Sequence, residues 1–553
     1  QVGASGAKVQ VFFDQRDGGT TEVEQGDLLL SGGGVLGQGR FVVGELSPFL
    51  AFDAGAYSVM GAHVIEGAIG SEMRIRGTSI VEVQGQGSLA LDGVDLLLLT
   101  DGVTLEQAAQ LGGAGPVFNR SAFHWLGTIG VAGQADFRNE AAGQVMIPAG
   151  AGARLRGSLK NEGSRVFQDG SLDMANSAVL NTGEWFLRPK GSDKQISGIN
   201  ALFTNEGTLD GGSAEPTHRT VTISANFDNR GEVVAIGPVT LNFTGAVAQV
   251  QNGVLEGGSW VAHSGGRILL PGVPPIFAIR NARVYGSRAN MPWLAGVVEV
   301  SQSSRLDAVD DIVFEAPLII SSRGLVVSGP GADVTVPLNT TVGEPGPTTV
   351  LSYIEQAPVF SDGPQPRLIT PVLIVHEGLR PGGPDTPGPF NLTGTLTMMP
   401  TGVMEVELGG PIPETEHDRM AITGSAALAG TLDLRLLPGF VPLPGQTFTV
   451  LTASGGRSGT FGSVSQPAGM PAGLALQASY TANAVVVSVV GGCYPNCDGS
   501  TTAPILNVQD FGCFLSRYAA GDPYANCDGS TQPPVLNVQD FGCFLTRYAA
   551  GCP

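Results

Sequence analysis

Oxygen-bearing side chains at alternate positions occur twice, 30 residues apart, near the C-terminus of this 553-residue chain. The first copy reads Asn496-Cys497-Asp498-Gly499-Ser500 and then Leu506-Asn507-Val508-Gln509-Asp510-Phe511-Gly512-Cys513-Phe514-Leu515. The second repeats it from Asn526 to Leu545. With Asn496 at loop position 1, Asp498 and Ser500 fall at 3 and 5. Asn507 and Asp510 fall at 9 and 12 if three extra residues are allowed within Thr501–Ile505. Asn526, Asp528, Ser530, Asn537 and Asp540 repeat the set. Such a loop can wrap one hard cation, with Asp510 and Asp540 entering from the first helical turn and carbonyls near Ile505 and Val535 adding backbone ligands. Two carboxylates per loop predict weak Ca²⁺ binding at two sites, about 10⁻⁴–10⁻³ M. A disulfide-stapled helix pair that needs no ion is the alternative.

The elements that must hold these residues are two short helices. Asn507 and Asn537 suit N-caps and Gly521 and Gly551 suit helix ends. Val508, Phe511, Leu515 and Tyr518 recur at helical spacing and are expected to face the twin repeat. All six cysteines lie within residues 493–553. They allow 15 pairings. Cys493–Cys552 would close the segment's two ends, with Cys497–Cys513 and Cys527–Cys543 tying each loop to its helix, although any symmetric scheme suits the repeat. Clustered cysteines point to an oxidising, extracytoplasmic setting rather than to zinc. A chain beginning at Gln1 implies a signal peptide already removed, and apolar runs such as Leu96–Leu99 are too short for a transmembrane segment. The expected location is secreted, extracellular or cell-surface.

This C-terminal segment resembles the dockerin family, specifically its cysteine-containing bacterial variant. The resemblance implies a cohesin-like protein partner, gripped by helix residues just after each loop. The matching positions are Val508, Gln509, Ser516 and Arg517, and in the second copy Val538, Gln539, Thr546 and Arg547. Near-identical copies would permit two binding orientations. The loop departs from the family in its length, in Asn at position 1 and in Ser at position 5. The Val-Gln pair departs from the family's small, hydroxylic one and implies a different specificity group.

The rest of the chain reads as a repeat. Glycine is abundant at 81 residues and charged residues make up 14%, a composition of many turns and short strands. The net charge of −20 argues against nucleic acid or anionic membrane as partner. An apolar residue followed closely by Asn-x-Gly returns at Asn161, Asn181, Asn205 and Asn229, with a looser copy at Asn139; the spacings are 22, 20, 24 and 24 residues. Rungs of that length predict an all-β parallel β-helix, with Asn and Gly at corners for their tolerance of positive φ and the asparagines stacked in a ladder. A set of unrelated β-sandwiches is the alternative. The expected divisions are a β-solenoid over 1–270, a less regular continuation over 271–385, terminal rungs and a β cap over 386–490, and the small α-helical, disulfide-rich, EF-hand-like module over 491–553.

Leu392-Thr393-Gly394-Thr395-Leu396, Asp418-Arg419-Met420-Ala421-Ile422-Thr423-Gly424 and Leu428-Ala429-Gly430-Thr431-Leu432 resemble autotransporter passenger domains. That resemblance implies final β-helix rungs and an edge-hiding cap. The cysteine module, not a translocator barrel, follows them, so autotransport itself is not implied. Candidate catalytic carboxylates are Asp307, Asp310, Asp311 and Glu315 beside Arg305, but Asp-Asp at a strand entrance is the more ordinary sign of a turn. Asn226-Phe227-Asp228 and Arg188-Pro189-Lys190 match fragments of pectinase-like motifs in the wrong order. His63, His124, His218, His263, His376 and His417 are scattered, and His417-Asp418-Arg419 reads as a surface turn. No catalytic set is assigned. The expectation is a secreted, non-enzymatic structural or adhesive solenoid anchored through its C-terminal module. Alternatives are a self-assembling filament or surface-layer subunit, in which the chain's partner is itself, and a polysaccharide lyase or hydrolase on the same scaffold.

Overall fold

The computed structural model describes residues 7–551 apart from 99–109, 343–352, 357–366 and breaks of one to four residues, among them 492–493, 501–503 and 531–532. The chain is mostly β, a parallel β-solenoid followed by two C-terminal helices, and divides into two compact units. One comprises residues 1–297 with 303–306, the other 298–302 with 307–553.

In the first unit each coil lays down three short strands on three faces. Glu184–Leu187, Lys194–Ser197 and Leu202–Asn205 make one coil; Thr208–Gly212, Arg219–Ile223 and Asn226–Asn229 make the next, parallel and in register with it. Two of the faces are continuous sheets of 12 and 10 strands among the described residues. A four-residue strand has two inward positions. Trp185 and Leu187, or Val166 and Gln168, fill them on the first face. On the third face the inward pair is one apolar residue and one asparagine, as with Phe203 and Asn205. Phe203 stacks on Phe227 at 5.6 Å, and Trp185 meets Phe203 edge-on at 4.9 Å, so aromatic rings fill the interior.

The asparagines form a ladder. Asn119, Asn139, Asn161, Asn181, Asn205 and Asn229 are fully buried. Each Nδ2 donates to the next Oδ1, at 2.8, 2.8, 2.7, 2.8 and 3.0 Å in order. The second amide hydrogen goes to backbone; Asn181 Nδ2 is 3.2 Å from both Gly183 O and Thr208 O. The expected reason for Asn and Gly at this corner needs correction. Neither the ladder asparagines nor Gly207 and Gly231 have positive φ. Glycine is required by close approach: a Cβ on Gly207 or Gly231 would sit 2.1 Å from the carbonyl oxygen of Gly183 or Gly207, one coil earlier. Positive φ belongs to another corner, at Asn176 (53°) and Asn200 (54°), which form their own 3.0 Å amide bond.

The second unit is also built of parallel strands. Arg367–Val375, Pro389–Met398, Arg419–Ile422 and Thr447–Ala453 lie in one sheet, and Gly378–Pro381, Val403–Leu408, Thr431–Leu436 and Ser463–Val464 in another. It closes with an antiparallel hairpin, Leu474–Tyr480 and Ala484–Gly491, laid on Thr447–Ala453. The outermost strand would expose unpaired backbone. The Gln466 side chain covers part of it, donating to Leu476 O and accepting from Leu476 N, both at 2.8 Å.

His417 and Asp418 are not a surface turn: both are fully buried. Asp418 accepts from the Gly388 and Glu407 amides at 2.9 and 2.8 Å, Glu407 accepts from the Asp385 amide at 2.8 Å, and Arg380 pairs with buried Glu405 at 2.7 Å. Asp418 and Glu407 therefore pin the loop between the strands Gly378–Pro381 and Pro389–Met398. The desolvation of these carboxylates is offset by backbone N–H donors and, at Glu405, by the Arg380 and Arg435 guanidinium groups.

Two tests follow from this packing. Asn181→Ala leaves amide groups unpaired above and below it, at about 1–3 kcal/mol each. Asn119→Ala, at the ladder's end, breaks one rung instead of two. Native-state hydrogen exchange read in the coils flanking each substituted position should therefore show roughly twice the loss of protection for Asn181→Ala; equal losses would deny the ladder its cooperative role. The second test concerns pH. Burial raises the Glu407 carboxyl, and raises Asp418 well above its ordinary range. The folded chain then holds protons that the unfolded chain has released. The pair's contribution to stability is full below about pH 4 and is lost as pH rises through the folded pKa values. Glu407→Gln should narrow the gap in melting temperature between pH 4 and pH 8, and an unchanged gap would contradict this.

Candidate functional site

The C-terminal segment folds as two near-identical halves. Helix α1 (Val508–Ala519) and helix α2 (Val538–Ala550) each begin with a capping box. Asn507 Oδ1 accepts from Gln509 N at 2.7 Å, and Asp510 Oδ2 accepts from Asn507 N at 2.8 Å. Asn537 and Asp540 repeat both bonds at the same distances. The loop ahead of each helix is knotted by its own oxygens. Ser500 N donates to Asn496 Oδ1 at 3.0 Å and to Asp498 Oδ1 at 2.9 Å, while Ser500 Oγ donates to Ile505 O at 3.0 Å. Asp510 Oδ1 accepts from Asp498 N at 3.2 Å. Asn526, Asp528, Ser530, Val535 O and Asp540 form the matching knot. Hydrogen bonding to the Ser500 and Ser530 amides holds the exposed Asp498 and Asp528 carboxyls below their ordinary range.

Four of the five side chains expected around each ion are thus gathered with the Ile505 or Val535 carbonyl. The fifth, Asn507 or Asn537, is turned to the helix N-terminus. Asp510 and Asp540 are fully buried and already accept two backbone hydrogen bonds each. A cation held here would draw on Asn496, Asp498, Ser500, the Ile505 carbonyl and Asp510, displacing hydrogen bonds that the loop makes to itself. The fit is therefore partial.

Disulfides Cys497–Cys513 and Cys527–Cys543 join each loop to its own helix. Cys493 and Cys552 lie outside the described residues. The two halves pack through rings: Phe514 stacks on Phe544 at 4.2 Å, and Tyr518 meets Phe541 at 4.7 Å. Tyr494 and Tyr524 stack at 4.8 Å, and each hydroxyl donates to the other residue's carbonyl. Burial raises both phenols, Tyr524 to about 12.

This packing corrects the expected inner face. Phe511, Phe514 and Tyr518 face the twin, whereas Val508 is 80% exposed and Leu515 39%. Val538 and Leu545 repeat the outward pattern at 80% and 51%. Between them Gly512 and Gly542 leave open space where a Cβ would stand. Each helix therefore presents an apolar stripe with a central gap. Of the other expected contact residues, Gln509, Ser516, Gln539 and Thr546 are exposed. Arg517 and Arg547 lie over the rings of Tyr524 and Tyr494 at 4.7 and 4.8 Å, and Arg517 also pairs with Asp522. No family model and no curated protein matches the chain.

The remaining candidate carboxylates differ in their surroundings. Asp307 is buried, Asp310 and Asp311 are exposed at a bend, and Asp311 accepts from the Asp333 amide at 2.9 Å. Asp228 pairs with Arg230. Among the described residues no three His, Cys, Asp or Glu side chains are placed to hold a metal. The outward stripe was missed because two apolar rows share each helix, Val508-Gly512-Leu515 and Phe511-Phe514-Tyr518, and periodicity alone does not rank them. Ring size does: the three aromatics bury the most area.

Replacing Cys497 and Cys513 together with serine releases a crosslink spanning 16 residues. The expected cost is about 3 kcal/mol to the module. It should appear as a lower-temperature transition in tyrosine near-ultraviolet dichroism, with the solenoid's transition unmoved.

Proposed function

We propose that this chain is an extracellular, non-enzymatic structural or adhesive β-solenoid, tethered to a cohesin-like surface protein through its C-terminal module, with weak Ca²⁺ sites in the two loops. The observation that carries this reading is the duplicated outward stripe, Val508-Gly512-Leu515 and Val538-Gly542-Leu545, on a crosslinked frame. Exposed apolar side chains on a small disulfide-bonded module are costly in water and mark a place that another protein covers. Their equal presentation on two related helices suits a partner that can bind in either of two orientations. The disulfides favour an oxidising compartment. Among the described residues no helix is long and apolar enough to cross a membrane.

The test uses the full chain as bait for surface-protein extracts of the producing cells. Leu515→Arg or Leu545→Arg alone should keep capture of the same protein, each leaving one stripe intact. The double variant should lose it by at least two orders of magnitude. Capture untouched by the double variant, or lost fully in either single one, would refute dual-orientation docking. Calorimetry should find about two Ca²⁺ per chain, abolished by Asp510→Ala with Asp540→Ala; absence of binding up to millimolar Ca²⁺ would reduce the module to an ion-free staple.

A further inference from the structure

The first unit carries a groove unrelated to the docking module. On the outer side of the first face, His124, Met146, Phe167 and Phe186 occupy successive coils in direct register and point outward. Phe167 stacks on Phe186 at 5.0 Å and 12°, and the Arg188 guanidinium lies 5.0 Å from the Phe186 ring centre. His124, Met146, Phe167, Asp169, Arg188 and Lys190 line a cavity of about 490 Å³, which extends to Glu215 on the following coil. With strands about 4.8 Å apart, four coil steps make it about 19 Å long. This volume lies within the range of sites that enclose a small organic ligand.

We infer that this groove binds a neutral glycan chain. Its floor is an apolar ribbon of Met146 and Phe167, suited to the C–H faces of sugar rings. Its walls carry donors and acceptors fixed in advance, since Lys190 is paired with Asp169 at 2.6 Å and Arg188 with Asp210 at 2.7 Å. Glu215 is held by the Gly191 amide at 3.2 Å and by Arg219. Hydroxyl groups can bond such pairs without breaking them, whereas an anionic polymer would have to displace a carboxylate from each cation. An extended peptide is less suited. Its recognition by strand addition needs an open sheet edge, and here the floor is a sheet face whose backbone groups are already bonded to neighbouring coils. The repeat lets a linear ligand run along the solenoid axis and meet a similar register at each step.

The experiment is affinity electrophoresis of the full chain through gels holding hydroxyethylcellulose, xylan, galactomannan or polygalacturonate. Retardation is expected in at least one of the three neutral gels. Phe167→Thr with Met146→Thr keeps strand-forming residues at outward positions and should weaken retardation at least tenfold with circular dichroism unchanged. Lys190→Ala, at an exposed position, should weaken it several-fold. Asp510→Ala with Asp540→Ala should leave it unaltered, separating this site from the docking module. Passage through all neutral gels without delay, delay in polygalacturonate alone, or delay indifferent to both groove variants would overturn the inference.

Discussion

The first unit depends on one requirement: a polar amide placed inside a coil must find both a donor and an acceptor within that interior. A lone buried asparagine would be a liability of a few kcal/mol. Repeated at the same corner of six coils, it becomes its neighbour's partner, and each added coil satisfies the one before. The ladder then dictates the rest. It fixes the register of the third face, since a one-residue slip would carry every asparagine outward and every polar neighbour in. In that register Phe203 meets Phe227, and at Gly207 and Gly231 the coils come so close that no side chain fits.

Much of this is legible in the sequence. The recurring Asn-x-Gly exposes both the ladder and the coil length, because a buried hydrogen-bonded amide and a crowded glycine are each hard to replace. The ladder's first member, Asn119, escaped notice because Arg120 and Ser121 follow it in place of the x-Gly phrase. The physical reason assigned to the glycines was wrong for a related cause: positive φ and close approach both demand glycine, and sequence does not distinguish them. His417-Asp418-Arg419 was misread because charged residues beside Gly and Pro look like a turn. Nothing in the local sequence announces that the backbone amides of Gly388 and Glu407, 30 and 11 residues away, converge on the Asp418 side chain.

The C-terminal module obeys a different logic. Its interior is small, so it relies on rings and crosslinks rather than on repetition. A 30-residue duplication makes the interface self-complementary: Phe514 finds Phe544, and Tyr494 and Tyr524 exchange identical hydrogen bonds. The same symmetry copies whatever faces outward. Oxygens of Asn496, Asp498 and Asp510 bond the loop's own amides.

The Gln466 amide on the Leu476 edge has a consequence for how such a chain can change in length. A terminus closed by a dedicated side chain cannot simply be extended, because a coil added beyond it would meet an occupied edge. A coil inserted within the first unit would enter as a whole segment of 20 to 24 residues that carries its own asparagine to the shared column. Length in this architecture is a property of internal duplication. The oldest coils need not be those nearest either end.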